Sequence, residues 1–170
     1  MADEIVNRVA NSSLVVFDLE DYYPEGKRMD FDLKDFLWEG SVLKEKDFRE
    51  QIIRHDWASY TDAYVALYCT TDAIVPAWSY MLVASKLQSV ARRVVYGNRE
   101  ALDTALYFEI IAALDVSHLA GKAVIIKGCS HKPVPESAYV MAVARIQPVA
   151  KSVMYGEACS AVPIFKKEKN

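Results

Sequence analysis

Residues Tyr80–Gly97 read YMLVASKLQSVARRVVYG, and residues Tyr139–Gly156 read YVMAVARIQPVAKSVMYG. The second stretch begins 59 positions after the first, at 139 rather than 80, and seven of the 18 positions are identical. Chance gives about one identity over such a length, so the two stretches are copies of one supersecondary unit. The same spacing relates Pro76 to Pro135 and Val65 to Val124. The chain therefore contains an internal duplication.

Each copy predicts a strand, a helix and a second strand. The apolar runs Ala63–Tyr68 and Lys122–Lys127 come first, and the β-branched centre of the second is typical of a strand buried on both faces. A loop that ends in proline follows, and proline suits the first helical position because its missing amide hydrogen needs no partner there. Short strands at Arg93–Tyr96 and Ser152–Tyr155 end the copies. The pattern is that of a βαβ unit.

The alternation of strands and helices predicts an α/β fold whose core is a parallel sheet with right-handed crossovers, Rossmann-like and in three layers. A helix over Arg99–Leu114, capped by Asn98, joins the two copies. The duplicated βαβ core spans 63–157, and residues 1–62 form an N-terminal α+β extension packed on it within a single domain, 1–170.

In this extension we expect strands at Leu14–Leu19 and Arg28–Leu33, paired about a turn at 24–26. A helix over Glu45–Asp56 should turn Phe48, Ile52 and Ile53 inward. His55 should help to close that helix.

Composition limits the classes of function. Apolar residues make up 52% and charged residues 25% of 170 residues, enough for a substantial core. The net charge of -3 argues against nucleic-acid binding, which needs clustered positive charge. No apolar run is long enough to cross a bilayer, and the acidic start does not resemble a secretory signal. We expect a cytosolic protein without nucleic-acid or membrane partners, whose Lys-rich C-terminal end is solvated.

The three cysteines and His131 are the candidate metal ligands. Cys69 and Cys129 follow the first strands of the two copies, and Cys159 follows the last short strand. In open parallel sheets, ligands bind beyond the carboxyl ends of the strands. A reducing compartment leaves these cysteines as free thiols or ligands. Together with His131 they could hold zinc or an iron–sulfur cluster. Alternatively, the cysteines fill space in the core.

Cys129 is the candidate catalytic thiol. It follows Gly128, precedes a helix N-terminus and has Lys127, His131 and Lys132 nearby in sequence, all of which favour a thiolate. A second hypothesis assigns the same loops to a small anionic ligand, held near Thr70, Thr71, Asp72, Gly128 and Ser130, with loops 69–75 and 129–135 bordering a common pocket. A third hypothesis is a non-catalytic interaction protein that uses some of the ten tyrosines and three tryptophans at an interface.

Several stretches resemble a known bacterial family. They read FDLEDYYPEG, LKEKDFR, DAIVPAWSYML, VIIKGCSHKPVPESAYV and QPVAKSVMYGEACSAVPIFKK. Nearly the whole chain resembles domain-of-unknown-function family 2480. The resemblance implies a cytosolic bacterial protein with no established activity and no transferable catalytic residue. Among thiol roles it favours sulfur or metal handling, with a partner in that metabolism and a link to iron–sulfur assembly.

Overall fold

The computed structural model describes residues 14–128 and 130–168. Within them the chain is an α/β protein with mainly parallel strands. The strands are β1 (Leu14–Asp18), β2 (Arg28–Asp32), β3 (Tyr64–Tyr68), β4 (Arg93–Tyr96), β5 (Ala123–Lys127), β6 (Ser152–Tyr155) and β7 (Val162–Lys166). The helices are α1 (Glu45–Arg54), α2 (Ala77–Leu87), α3 (Arg99–Ala113) and α4 (Glu136–Ile146).

The strands are divided between two sheets, and the chain folds into two compact units. We call the first the split unit, because it combines the described residues up to Pro24 with those from Leu106 onward. The second, the continuous unit, comprises Glu25–Ala105, so the boundary falls within α3. The sequence suggested one sheet, whereas each copy of the duplication has its own. The assignment of 1–170 to a single domain stays a prediction.

The split unit has the strand order β1-β5-β6-β7. Strand β1 pairs with β5 and β5 with β6, all parallel, while β7 lies antiparallel to β6. Its core is built on the inward side chains of these strands and on the apolar stripe of α4, including Val124, Ile126, Ala142 and Ile146. The β5-α4-β6 segment is the predicted βαβ unit of the second copy.

The continuous unit has the strand order β2-β3-β4, with both pairs parallel. The β3-α2-β4 segment is the βαβ unit of the first copy. Its core joins Val65 and Leu67 of β3 to Val83 and Leu87 of α2, all fully or almost fully buried. Leu87 occupies the position equivalent to Ile146, so the two copies bury the same helix face. The duplicated topology is therefore confirmed.

Three local expectations were wrong. Strands β1 and β2 do not pair with each other as a hairpin, since each is parallel to a distant strand of a different sheet. Ile53 is 75% exposed, although Phe48 and Ile52 of α1 are buried as expected. The prolines before α2 and α4 are N-caps rather than first helical residues, with extended backbone. Strand β7 was not predicted, and the Lys-rich end that was expected to be solvated begins at its last residue, Lys166.

Candidate functional site

The short segments that follow β1 and β2 form a second repeat, which sequence analysis overlooked. Residues 17–22 read FDLEDY and residues 31–36 read FDLKDF. In each, the aspartate carboxylate caps a 3-10 turn: Asp18 accepts from the Glu20 amide and Asp32 from the Lys34 amide, both at 3.0 Å. The hexapeptide similarity was the signal that could have found them. Each unit thus combines one such strand-and-turn segment with one βαβ unit.

In the continuous unit, Asp32 holds the loop that follows β3. One carboxylate oxygen accepts from the Thr70 amide at 3.1 Å, and the other accepts from the Thr70 hydroxyl at 2.5 Å. Partial burial acts to raise the pKa of Asp32, but the hydrogen bonds from Thr70 and from the Lys34 amide outweigh it and lower the pKa. Asp32 is therefore an ionised structural clamp on this loop.

In the split unit, Glu20 has the corresponding role. One oxygen of its carboxylate accepts hydrogen bonds from the Ser130 amide and from the His131 amide, the latter at 3.0 Å. The bond from the His131 amide contributes most to lowering the pKa of Glu20. Loop amides that could bind an anionic ligand are thus engaged by the protein's own carboxylates in both units. The anionic-ligand hypothesis for these loops stays a prediction.

Lys127 lies at the carboxyl end of β5 between two acidic side chains. Its ammonium nitrogen is 3.3 Å from Asp18 Oδ2 and 3.7 Å from Glu157 Oε1. The hydrogen bond to Asp18, followed by the charge of Glu157, raises the pKa of Lys127. The ion pair with Glu157 brings the loop between β6 and β7 beside the end of β5. Asp18 in turn fixes Lys127 across the β1–β5 pair, in which they are register partners.

The remaining predicted ligand-binding residues contact other parts of the protein or are exposed to solvent. Gly128 is closely packed, since a Cβ there would lie 3.0 Å from the Tyr139 hydroxyl oxygen and 3.2 Å from the Leu19 Cβ. Thr71 places its hydroxyl 3.3 Å from the Cys69 sulfur, and Asp72 is exposed. The loops 69–75 and 129–135 belong to different sheets, and the common pocket between them stays a prediction.

The cysteines fall in both units. Cys69 is half-buried in the continuous unit, Cys159 is exposed in the split unit, and Cys129 lies outside the described residues. No group of three or more histidine, cysteine or acidic side chains suited to a metal occurs in the part of the chain that the structure describes. A metal centre or a reactive Cys129 therefore stays a prediction.

An apolar groove accompanies the last parallel strand of each unit. In the split unit it has a volume of about 350 Å³, and one carboxylate, Glu136, is the charged group in a lining of Ile126, Glu136, Tyr139, Val140, Val143, Met154, Tyr155 and Ile164. In the continuous unit it is smaller, about 200 Å³, and is lined by Leu67, Tyr80, Met81, Ala84, Gln88, Val94 and Tyr96. Five lining positions correspond at the 59-residue spacing of the duplication, which makes the grooves equivalent.

A pair of tyrosines marks the same place in both grooves. The rings of Tyr139 and Tyr155 meet edge to face with centroids 5.7 Å apart, and those of Tyr80 and Tyr96 do so at 5.1 Å. Burial raises the pKa of Tyr80, as does the adjacent Tyr96. Both tyrosine positions were noted in the sequence as repeat equivalents, but their grooves were not foreseen.

These features define an α/β protein built from two equivalent units, each with a carboxylate-clamped loop and an apolar groove. The chain belongs to the family described as Protein of unknown function (DUF2480), whose model matches residues 3–167. No curated protein and no solved structure gives a match to this chain. Over the described ranges, no helix is both long and apolar enough to cross a membrane.

Proposed function

We propose that this protein is a non-catalytic interaction module whose split-unit groove receives an apolar segment of a partner protein. The observation that carries this proposal is the chemistry of the groove wall. Apolar side chains form almost all of it, and Val140 is 71% and Ile164 51% exposed. Exposed, contiguous apolar surface on a folded protein commonly marks a binding site.

The shape of this surface favours a polypeptide partner. The apolar area continues from the groove onto β7, where Val162 is 54% exposed beside Ile164. The groove is an open cleft rather than a closed cavity, so it suits an extended or helical segment. The side chains of Glu136 and Tyr155, which line the groove, offer polar contacts that would fix orientation.

A photo-cross-linking amino acid at Val140 tests this function. In cells that naturally make the protein, we expect a discrete adduct from position 140 and none from position 151, an exposed lysine of the same unit. The partner identified is then titrated with purified wild-type, Val140→Asp and Lys151→Asp proteins. We expect Val140→Asp to weaken binding about tenfold or more, because it loses the burial of a valine side chain. Equal binding by all three proteins would contradict the proposal.

A second proposal retains a thiol-centred role in metal or sulfur handling, linked to iron–sulfur assembly. Its support is that the ion pair between Lys127 and Glu157 brings the loop bearing the exposed Cys159 beside the end of β5. Because the described residues lack a group of three ligands, zinc or a cluster would also need Cys129. Elemental analysis of untagged protein, with thiol titration of Cys129→Ser and Cys159→Ser, tests this role. Absence of stoichiometric zinc or iron, together with slow alkylation of both thiols, would contradict it.

A further inference from the structure

The two units differ at the outer edge of their last parallel strand. In the split unit, β7 lies antiparallel along β6, with Val153 opposite Phe165 and Tyr155 opposite Val162. In the continuous unit, β4 is the equivalent of β6 and is the last of the described strands of its sheet, with β3 as its neighbour in the strand order. The chain turns into α3 after β4, where the second copy instead continues to β7. Within residues 14–128 and 130–168, one copy of the duplication therefore carries an added strand that the other lacks.

The alternating direction of the backbone hydrogen-bonding groups shows which residues of β4 face this edge. The Gly97 amide donates to the Leu67 carbonyl, as the equivalent Gly156 amide donates to the Ile126 carbonyl. Because alternate residues of a parallel strand bond to the same neighbour, Val94 and Tyr96 direct their backbone groups away from β3. Their equivalents are Val153 and Tyr155, the residues that pair with β7. The β4 edge thus offers the same donors and acceptors as the β6 edge.

The side-chain surface beside β4 is also open. Met81 and Tyr96, on the rim of the continuous-unit groove, are 70% and 71% exposed. In the split unit Ile164 of β7 lines the equivalent groove, at the β-bulge where the β6–β7 register shifts. A strand added along β4 with a branched side chain at that position would line the smaller groove in the same way.

We infer that the edge of β4 binds an extended segment of another protein in antiparallel pairing. Strand β7 shows the chemistry of that segment: a branched apolar residue directed into the groove, followed by an aromatic and a basic residue. Main-chain hydrogen bonds supply affinity in this mode of recognition, and the groove supplies preference for the apolar residue. The inference concerns the continuous unit and does not rest on the proposed function of the split-unit groove.

The Arg93 side chain covers part of this edge in the unbound protein. Its guanidinium donates to the Val94 carbonyl at 3.3 Å, covering one of the acceptors that a strand would use. Charged side chains commonly protect sheet edges from indiscriminate pairing. The equivalent residue in the split unit, where β7 is paired, is Ser152. A bound segment therefore displaces the Arg93 side chain, and Arg93→Ser should make the edge more receptive.

A synthetic peptide corresponding to residues 160–167 of this chain, SAVPIFKK, is the probe. We expect it to bind the full-length protein and to slow amide hydrogen exchange at Val94 and Tyr96. Arg93→Ser should tighten binding about two- to tenfold, because the peptide no longer competes with the guanidinium. Two control peptides carry Ile164→Asp or an N-methyl group on the Phe165 amide nitrogen. Neither should bind the same, unaltered protein.

Three results would overturn the inference. The first is no binding of the SAVPIFKK peptide by either the wild-type or the Arg93→Ser protein. The second is exchange protection at Val153 and Tyr155 in place of Val94 and Tyr96, which would mean that the peptide only replaces β7. The third is protection of Val94 and Tyr96 that rises with protein concentration before peptide is added, which would assign the edge to a second copy of this chain.

Discussion

At the residue scale, carboxylates hold the loops that follow the parallel strands. Asp32 reaches the amide and the hydroxyl of Thr70, and Glu20 reaches the amides of Ser130 and His131. Such loops would otherwise leave several amides without protein partners just before a helix. Ligands usually bind at the carboxyl ends of parallel strands. In this protein, carboxylates of the chain itself accept hydrogen bonds from the loop amides at these ends.

The Asp32 clamp gives a stability prediction. We expect Asp32→Ala to lower the free energy of unfolding by about 1–2 kcal/mol, since it removes a turn cap and two hydrogen bonds to Thr70. Asp35→Ala, at an exposed position in the same turn, is the matched control and should change little. Because the pKa of Asp32 is lowered in the folded state, its contribution is present at neutral pH and is lost as pH falls below the ordinary carboxyl range. Denaturant titrations at pH 7 and pH 3.5 check both effects.

Protonation of His55 should give the stability of the folded protein a second dependence on pH. Four aromatic side chains surround its ring, with centroid separations of 4.8–5.8 Å: Phe31, Phe36, Trp57 and Tyr60. Burial lowers its pKa, although the adjacent Asp56 acts in the opposite direction. The unfolded chain therefore binds a proton more readily, and stability should fall as pH drops below about 6.5.

A phenylalanine at this position isolates the effect of His55. His55→Phe keeps an aromatic ring among its neighbours but cannot be protonated. We expect the loss of stability between pH 7 and pH 5 to be smaller in this variant than in the wild type. Equal pH dependence of thermal unfolding in both proteins would show that His55 does not titrate as argued.

At the element scale, the two βαβ units bury equivalent helix faces and expose equivalent ones. Leu87 of α2 and Ile146 of α4 are both fully buried at the 59-residue spacing. Met81 and Val140, also equivalent, are 70% and 71% exposed on the groove side. The duplication thus preserves both the core and the open groove.

This equivalence predicts a matched pattern of mutational effects. We expect Leu87→Ala and Ile146→Ala each to reduce the free energy of unfolding by about 2–5 kcal/mol, through lost burial and a residual cavity. Met81→Ala and Val140→Ala should be nearly neutral, because most of each side chain is already in water. Chemical denaturation of the four variants is the measurement. A neutral Leu87→Ala would be incompatible with the packing of α2 on β3.

The sequence predicted those elements whose signals are local or repeated. The bounds of β4 and β6 agree with the prediction, and Asn98 caps α3 by accepting from the Ala101 amide at 3.0 Å. The partners of β1 could not be read in this way, because Leu14 pairs with Ala123, more than a hundred positions away. A proline within Val162–Lys166 obscured β7, although edge strands tolerate proline. The grooves form where helix and sheet faces stay uncovered in the folded protein. The periodicity of apolar residues in the sequence does not show which faces these are.

At the scale of the whole molecule, the protein consists of two related units, and the continuous unit is inserted in the sequence between the two segments of the split unit. Each unit pairs a strand-and-turn segment with a βαβ unit, and the two sheets differ chiefly in the added strand β7. Among the described residues, one copy pairs the edge of its last parallel strand with β7, and we infer that the other leaves that edge available to a partner. Both the apolar groove and the edge of β4 would suit the interaction role that we propose.

Residue-resolved amide hydrogen exchange on the native, dilute protein tests this asymmetry most directly. We expect slow exchange at Val153 and Tyr155, whose backbone groups face β7, and fast exchange at the equivalent Val94 and Tyr96, whose backbone groups face away from β3. Comparable protection of all four amides would contradict this asymmetry, because it would show that the edge of β4 is already covered.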